Sequence, residues 1–344
     1  MSNNKNDKRK IGNLLSAFDA FGQEAEGDTG IEVLKNAGLD FTVNKENIYT
    51  SEGVKCESGF RRMYRDDTGA TLGVVKKGFV AMQPREMSEI GQRICKGRDV
   101  EWDRVGSTHG GARMMMSFRL PEEFSFGQDG KETMQTFFYL MNAHDGSSGM
   151  KIVPAPVRLF CSNQFAMLDG FLRKIGIDPK LLSIRHSAKM HDKVNQIINA
   201  LDLCDNLTER FTEMNNNLLQ VEMSLGDRVE YYIDVLGLKK DSELVNTATN
   251  PYGLSTRGNN TLDDLMEVEK LGRNNVGDMD NTAFKAFSTV TDFIDHANVH
   301  NKDGSINNTR VESAIMGSSA RMKNKAWDIL DEFVEEQKIL EVVA

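Results

Sequence analysis

The stretch from residue 137 to residue 165 constrains the fold most, because it joins two extended runs through a tight polar turn. Residues 137–141 read FFYLM, residues 144–149 read HDGSSG, and residues 151–160 resume an extended pattern. An Asp-Gly pair between apolar runs is a strong signal for a β-hairpin. Pro154 and Pro156 cannot donate to a ladder, so we expect the returning strand to lie at an edge, to be bulged or to begin at Val157.

Two more hairpins and one helix are predicted before this stretch. Strand-like runs between residues 60 and 75 flank Asp66-Asp67-Thr68-Gly69. Others, at residues 99–105 and 113–120, flank a glycine-rich turn at residues 106–111, and Pro121 should end this hairpin. Residues 82–96 carry apolar residues at helical spacing, with Pro84 in the first turn. These patterns predict an α+β fold, in which a mostly antiparallel sheet of hairpins packs against helices.

Helical periodicity dominates the second half of the chain. Apolar residues recur three and four positions apart within residues 186–219, 227–236, 262–271, 282–299 and 310–342. We therefore divide the chain into a flexible N-terminal arm (1–30), an α+β core domain (31–185) and a helical region with an acidic C-terminal end (186–344).

Charge and hydropathy exclude several classes of protein. The net charge of −9 argues against a protein that coats DNA by bulk electrostatics. Two segments are nevertheless basic, because residues 55–119 hold 13 Lys and Arg against 8 acids and residues 151–193 hold 8 against 3. No run approaches the roughly 18 apolar residues of a membrane-spanning helix, and the first residues lack the apolar core of a signal peptide. We expect a protein of the host-cell cytoplasm that does not bind membranes.

Two groups of residues invite a catalytic or metal-binding interpretation. His144 and Asp145, with Cys161 across the hairpin, could serve a hydrolase-like enzyme, but adjacent residues on a turn point in different directions and a triad must converge. His296 and His300 would share one helix face, yet the segment HANVH lacks the glutamate of the HExxH pattern and no third ligand is identifiable. We expect no catalytic residues, no metal and no cofactor.

The basic segments are interleaved with aromatic rings. Proteins that bind single strands without sequence preference combine a basic track with rings on which bases stack. We expect cations to neutralise phosphates and Tyr64 or Trp102 to stack on bases. The predicted nucleic-acid-binding residues are Arg61, Arg62, Tyr64, Lys76, Lys77, Trp102, Arg113, Arg158 and Arg185.

Several blocks of the sequence resemble a known family. They are AGLDFTV, DTGATLGVVKKGFVAMQPREM, LMNAHDGSSGMKIVPAPVRLFCSNQF, SIRHSAKM and TAFKAFSTVTDFIDHA, and they are similar to the phage/plasmid-like protein family, domain of unknown function number 932. The resemblance implies carriage by phages and conjugative plasmids, near recombination genes, but it implies no reaction.

The favoured hypothesis is a nucleic-acid-binding protein, most concretely a single-stranded DNA binding, annealing or recombination accessory factor that self-associates. Annealing requires no catalytic residue, which agrees with the absence of a complete catalytic motif. Two alternatives stay open: the hydrolase-like enzyme, and a factor that binds a recombination or host protein through its C-terminal helices.

Overall fold

The computed structural model describes the protein at residues 21–95, 100–126, 132–158, 163–164, 169–174, 178, 180, 182–202, 207–246, 248–271, 274, 279–296, 305, 307, 309–310, 313–314 and 317–343. The strands are β1 (Gln23–Glu24), β2 (Val43–Glu46), β3 (Phe60–Arg65), β4 (Thr71–Lys76), β5 (Glu101–Thr108), β6 (Arg113–Phe126), β7 (Glu132–Ala143), β8 (Met150–Arg158), β9 (Asn163–Gln164) and β10 (Ser183–Ile184). The helices are α1 (Gly30–Asn36), α2 (Pro84–Cys95), α3 (Asp169–Lys174), α4 (Met190–Asp202), α5 (Leu207–Gln220), α6 (Leu225–Leu236), α7 (Thr256–Glu269), α8 (Ala283–His296) and α9 (Ser318–Val343).

The strands form two antiparallel sheets. The large sheet has seven strands in the order β1-β5-β6-β7-β8-β10, with β9 also paired to β8, and the small sheet has three in the order β2-β3-β4. Helices follow in the second half of the chain, so the α+β prediction is confirmed. The sequence did not predict that the hairpin at residues 60–75 belongs to a sheet of its own.

All three predicted hairpins are present. β3 pairs with β4, β5 with β6, and β7 with β8, each in antiparallel register. The pairing of β6 with β5 ends at Arg119, just before Pro121, but strand β6 itself continues to Phe126 and pairs there with β7. The register of β6 against β7 shifts between Arg119 and Glu123, and this irregularity accommodates a residue that cannot donate to the ladder.

Among the described residues, the two prolines of β8 lie where the strand has a neighbour on one side only. Pro154 pairs with Phe138 of β7, whereas β10 pairs with the start of β8 and β9 with its end. The amide of Ile152 donates to Leu182 on the side away from β7, at 3.1 Å. Every second residue of a strand directs its backbone nitrogen to the same side, so the nitrogens of Pro154 and Pro156 point away from β7, as that of Ile152 does. They face the gap between β10 and β9, which agrees with the expectation that these prolines lie at an edge.

Helix α8 is the centre of the helical half. Each of its residues from Ala283 to His296 is buried, and α5, α6, α7, α9 and β9 pack against it. The periodicity of residues 186–219 allows one long helix or a broken pair, and the structure has the pair, α4 and α5. Helix α5 also packs on β6, and one cluster of buried apolar residues extends from Val33 to Val334. The predicted division at residue 185 stays a prediction.

The start of the described chain joins the large sheet. β1 pairs with β5 through Gln23 and Val105, and Phe21 is buried, whereas the sequence predicted an arm up to residue 30. Residues 1–20 of that predicted arm lie outside the described residues. None of the helices among the described residues is both long and apolar enough to cross a membrane.

Candidate nucleic-acid interface

Strand alternation divides the residues of the small sheet between two faces. Successive side chains of a strand point in opposite directions, and paired residues of neighbouring strands share a face. Met63 and Val75 are buried on the side that packs against the large sheet. We call the opposite side the outer face; its residues are Asn44, Glu46, Phe60, Arg62, Tyr64, Thr71, Val74 and Lys76.

The outer face exposes apolar side chains beside cations. Phe60 is 46% exposed and lies directly opposite Lys76, while Val74 is 54% exposed and lies opposite Arg62. Within the described part of the chain, the Lys76 ammonium group makes no ion pair or hydrogen bond. An exposed ring next to a cation can stack on a base while the cation meets a phosphate.

Arg62 binds the protein itself and holds the middle of this face. Its guanidinium donates to Glu46 Oε1 at 2.5 Å, to Thr71 Oγ1 at 2.7 Å and to the carbonyl of Gly69 at 2.5 Å. It also lies 5.1 Å from the ring centroid of Tyr64. Because these partners take three of its five N–H donors and Glu46 pairs its charge, Arg62 is suited to positioning Tyr64 rather than to neutralising a phosphate.

Further cations lie next to the outer face. Lys77 follows β4 and is exposed, and its carbonyl accepts a hydrogen bond from Lys45 Nζ at 3.1 Å. Three residues after Lys77, the amide of Val80 donates a hydrogen bond to the carbonyl of His186. The rings of Phe79 and His186 stack with their centroids 4.3 Å apart. Arg185 is exposed and precedes His186, so these contacts bring it towards the Lys77 segment.

Other predicted binding residues do not lie on the outer face. Arg61 alternates to the opposite side and donates to the carbonyls of Ser58 and Phe60, at 3.1 and 2.6 Å. Trp102 lies on β5 of the large sheet, where its half-buried ring packs 4.5 Å from that of Phe118, a core residue. The backbone of Arg158 ends β8, and its side chain lies outside the described residues.

Arg113 and the turn after β7 belong to the junction between the two sheets. Arg113 Nε donates to Asp145 Oδ2 at 3.0 Å. Burial alone would raise the pKa of Asp145, but its hydrogen bonds to Ser147 and the Arg113 cation outweigh burial and hold that pKa below its usual value. A Cβ at Gly73 of β4 would lie 2.6 Å from Asp145 Cα, which shows how closely the small sheet approaches this turn.

His144 is a structural residue of the same junction. It is fully buried, with Nδ1 3.0 Å from the carbonyl oxygen of Gly111 and Nε2 2.8 Å from that of Met82. Burial lowers the pKa of His144 although both hydrogen bonds raise it. Neither ring nitrogen is directed at a nucleophile, so this geometry does not support His144 as a general base, and Cys161 lies outside the described residues.

The histidine pair considered for a metal is only partly described. His296 is buried, and its Nδ1 lies 2.9 Å from Asp292 Oδ1 within α8, whereas His300 lies outside the described residues. Among the residues that the structure places, no group of three or more His, Cys, Asp or Glu side chains could hold a metal ion.

Comparison with known proteins identifies the family and no activity. A family model described as a domain of unknown function, DUF932, matches residues 71–326, about three quarters of the chain. The protein is therefore a member of the DUF932 family, as the sequence blocks indicated. No curated protein matches the chain. No solved structure matches it either.

The structure adds outer-face residues that the sequence prediction omitted. Phe60 is the most exposed ring on the face, and Asn44 of β2 pairs with Tyr64. The alternation of FRRMYR contained this signal, because positions 60, 62 and 64 share one face of a strand. The prediction that Arg61 and Arg62 both contact phosphates does not fit this alternation, because neighbours in a strand point in opposite directions.

Proposed function

We propose that the outer face of the small sheet binds single-stranded nucleic acid, with single-stranded DNA favoured. The observation that supports this function most is the position of Phe60 directly opposite Lys76 on a solvent-exposed sheet face. Sheet faces that recognise single strands use exposed aromatic side chains to stack bases. Phe60 and Tyr64 lie on the same strand and the same face, with Arg62 between them.

The chemistry of the face favours single strands over duplexes. Stacking requires access to the flat surfaces of the bases, which a duplex hides between neighbouring base pairs. Apart from Arg62, which is paired with Glu46, the cations near the rings belong to Lys76 and Lys77, so phosphate contacts would be few and local. This agrees with the net charge of −9, which opposes nonspecific coating of a duplex.

We place this activity in DNA annealing or as an accessory function in recombination, in the cytoplasm of a host cell carrying a phage or plasmid. Annealing needs stacking and phosphate contacts and no catalytic group. Self-association of the chain, which would bring several outer faces onto one strand, is part of the same proposal.

The experiment is an equilibrium titration of a fluorescent single-stranded oligonucleotide with the full chain, in which fluorescence anisotropy reports binding at several salt concentrations. Phe60→Ala should weaken binding by about 1–3 kcal/mol, roughly 5- to 150-fold in Kd, because one stacked base is lost. The matched control is Leu244→Ala, since Leu244 is also 46% exposed but lies outside the sheet. This control should leave Kd unchanged.

A second pair of variants tests the phosphate contact. Lys76→Gln should reduce the magnitude of the slope of log K against log salt by about 0.7, the value for one phosphate of a single strand. Lys239→Gln removes an exposed lysine that follows α6 and should leave the slope unchanged. Equal slopes for wild type and Lys76→Gln, together with unaltered binding by Phe60→Ala, would exclude the outer face as the binding site.

A further inference from the structure

Asn44 lies on the outer face beside Tyr64. The two residues are paired across β2 and β3, and both are half-buried. Within the described ranges, the amide group of the Asn44 side chain makes no hydrogen bond. An amide offers a donor and an acceptor side by side, which is the combination that reads the edge of a base.

Two polar neighbours of Asn44 on this face are already engaged. Glu46 and Thr71 both accept hydrogen bonds from Arg62. Asn44 therefore differs from its polar neighbours in having its hydrogen-bonding groups available to a ligand, and it sits next to a ring proposed to hold a base.

The backbone around Asn44 is fixed by a side chain from outside the sheet. Gln83 accepts a hydrogen bond from the amide of Val43 at 2.8 Å and donates to the carbonyl of Val43 at 3.0 Å. These bonds pair the backbone amide and carbonyl of Val43 on the edge of β2 that faces away from β3, as a neighbouring strand would. The neighbouring residue, Asn44, is consequently held in register with Tyr64, and an amide with a fixed backbone can discriminate between bases.

We infer that Asn44 reads the edge of the base that stacks on Tyr64, and that it selects adenine; this inference rests on the proposed function. An asparagine amide matches adenine with two hydrogen bonds, donating to N7 and accepting from the N6 amino group. On the corresponding edge thymine presents the O4 acceptor and a methyl group, which cannot satisfy both groups of the amide. Asn44 thereby adds base preference to a face whose rings and lysines bind any single strand.

The test compares Kd values for oligo(dA) and oligo(dT) of equal length, measured with the full wild-type chain and two variants. Asn44→Ala should reduce the ratio of Kd for oligo(dT) to Kd for oligo(dA) by about tenfold, with little change in Kd for oligo(dT). Asn44→Asp keeps the size of the side chain but removes its donor, and should reduce the ratio as well. A residue with only a structural role would weaken binding to both oligonucleotides equally.

The outcomes separate this inference from the function on which it rests. If the wild-type chain binds both oligonucleotides and both Asn44 variants keep the wild-type ratio of Kd for oligo(dT) to Kd for oligo(dA), the inference is overturned and the proposed function stands. If the wild-type chain binds neither oligonucleotide at low salt, the proposed function fails and the inference fails with it. Urea unfolding of each variant verifies that the fold is retained.

Discussion

Substitution of Glu269 by alanine should destabilise the helical half of the protein severely. Glu269 and Arg228 are about 6% and 5% exposed at their side chains, and Glu269 Oε1 lies 3.0 Å from Arg228 Nη2. The other carboxylate oxygen accepts a hydrogen bond from the Tyr232 hydroxyl at 2.6 Å. Removal of one partner of a buried ion pair typically costs about 3–5 kcal/mol, because the other charge stays buried without compensation.

The structure places this loss towards the lower end of that range. Arg228 Nη1 keeps its hydrogen bonds to the carbonyl of Met223 and to Asn281 Oδ1, at 2.6 and 3.0 Å. We therefore expect Glu269→Ala to lose about 3 kcal/mol, a large part of the roughly 5–15 kcal/mol that stabilises an ordinary domain.

Urea unfolding followed by far-UV circular dichroism measures this loss. Glu213→Ala, which removes an exposed carboxylate from α5, is the matched control and should stay within about 0.5 kcal/mol of wild type. The double variant Arg228→Met/Glu269→Leu removes both charges and should recover most of the stability. A loss below about 1 kcal/mol for Glu269→Ala, or a double variant as unstable as the single one, would refute the reasoning.

Two further substitutions test the packing of the core and the junction. Gly91→Ala should destabilise the protein by about 1–3 kcal/mol, because the added Cβ would lie 2.1 Å from Phe118 Cζ. The control Gly226→Ala should not destabilise it, because the nearest atom to that Cβ is 3.7 Å away. Equal urea unfolding midpoints for the two variants would contradict this packing. Asp145→Asn should lose stability relative to wild type at neutral pH, where the depressed pKa of Asp145 favours the folded state. This difference should shrink as the pH falls through and below the ordinary aspartate pKa of about 3.9, and urea titrations at several pH values that show a constant difference would contradict it.

The hairpins could be predicted from the sequence because their signals are local. Asp145-Gly146 and Asp66-Asp67-Thr68-Gly69 each lie between strand-like runs, and Gly146 and Gly69 adopt the positive φ values of 77° and 69° that such turns need. Helix α2 followed from its apolar spacing, with Met87, Ile90 and Ile94 buried on one face.

The candidate site was less predictable because it depends on contacts between residues that are distant in the sequence. Arg113 meets Asp145, 32 positions away, and Trp102 packs on Phe118 across the β5–β6 hairpin. Charge counts along the chain cannot distinguish a cation with a partner, such as Arg62, from an exposed one, such as Lys76. Alternation within a strand could have separated Arg61 from Arg62, and register across the turn could have placed Phe60 beside Lys76.

The separation of the small sheet from the large one had no local signal. The hairpin at β3 and β4 could extend either sheet, and its position is decided by the close approach of Gly73 to Asp145. Gln83 also contributes, because it occupies the outer edge of β2 at Val43. Both contacts join segments more than 35 residues apart, so periodicity within a window cannot reveal them.

The most direct measurement of the proposed interface is photocrosslinking of the full chain to a single-stranded oligonucleotide that carries 5-iodouracil, followed by mass spectrometry of the peptides. We predict that the nucleotide is attached within β3, at Phe60 or Tyr64, and that excess unlabelled single strand abolishes the attachment. Attachment confined to the helical half, for example at Trp327 of α9, with none in β3, would contradict binding at the outer face.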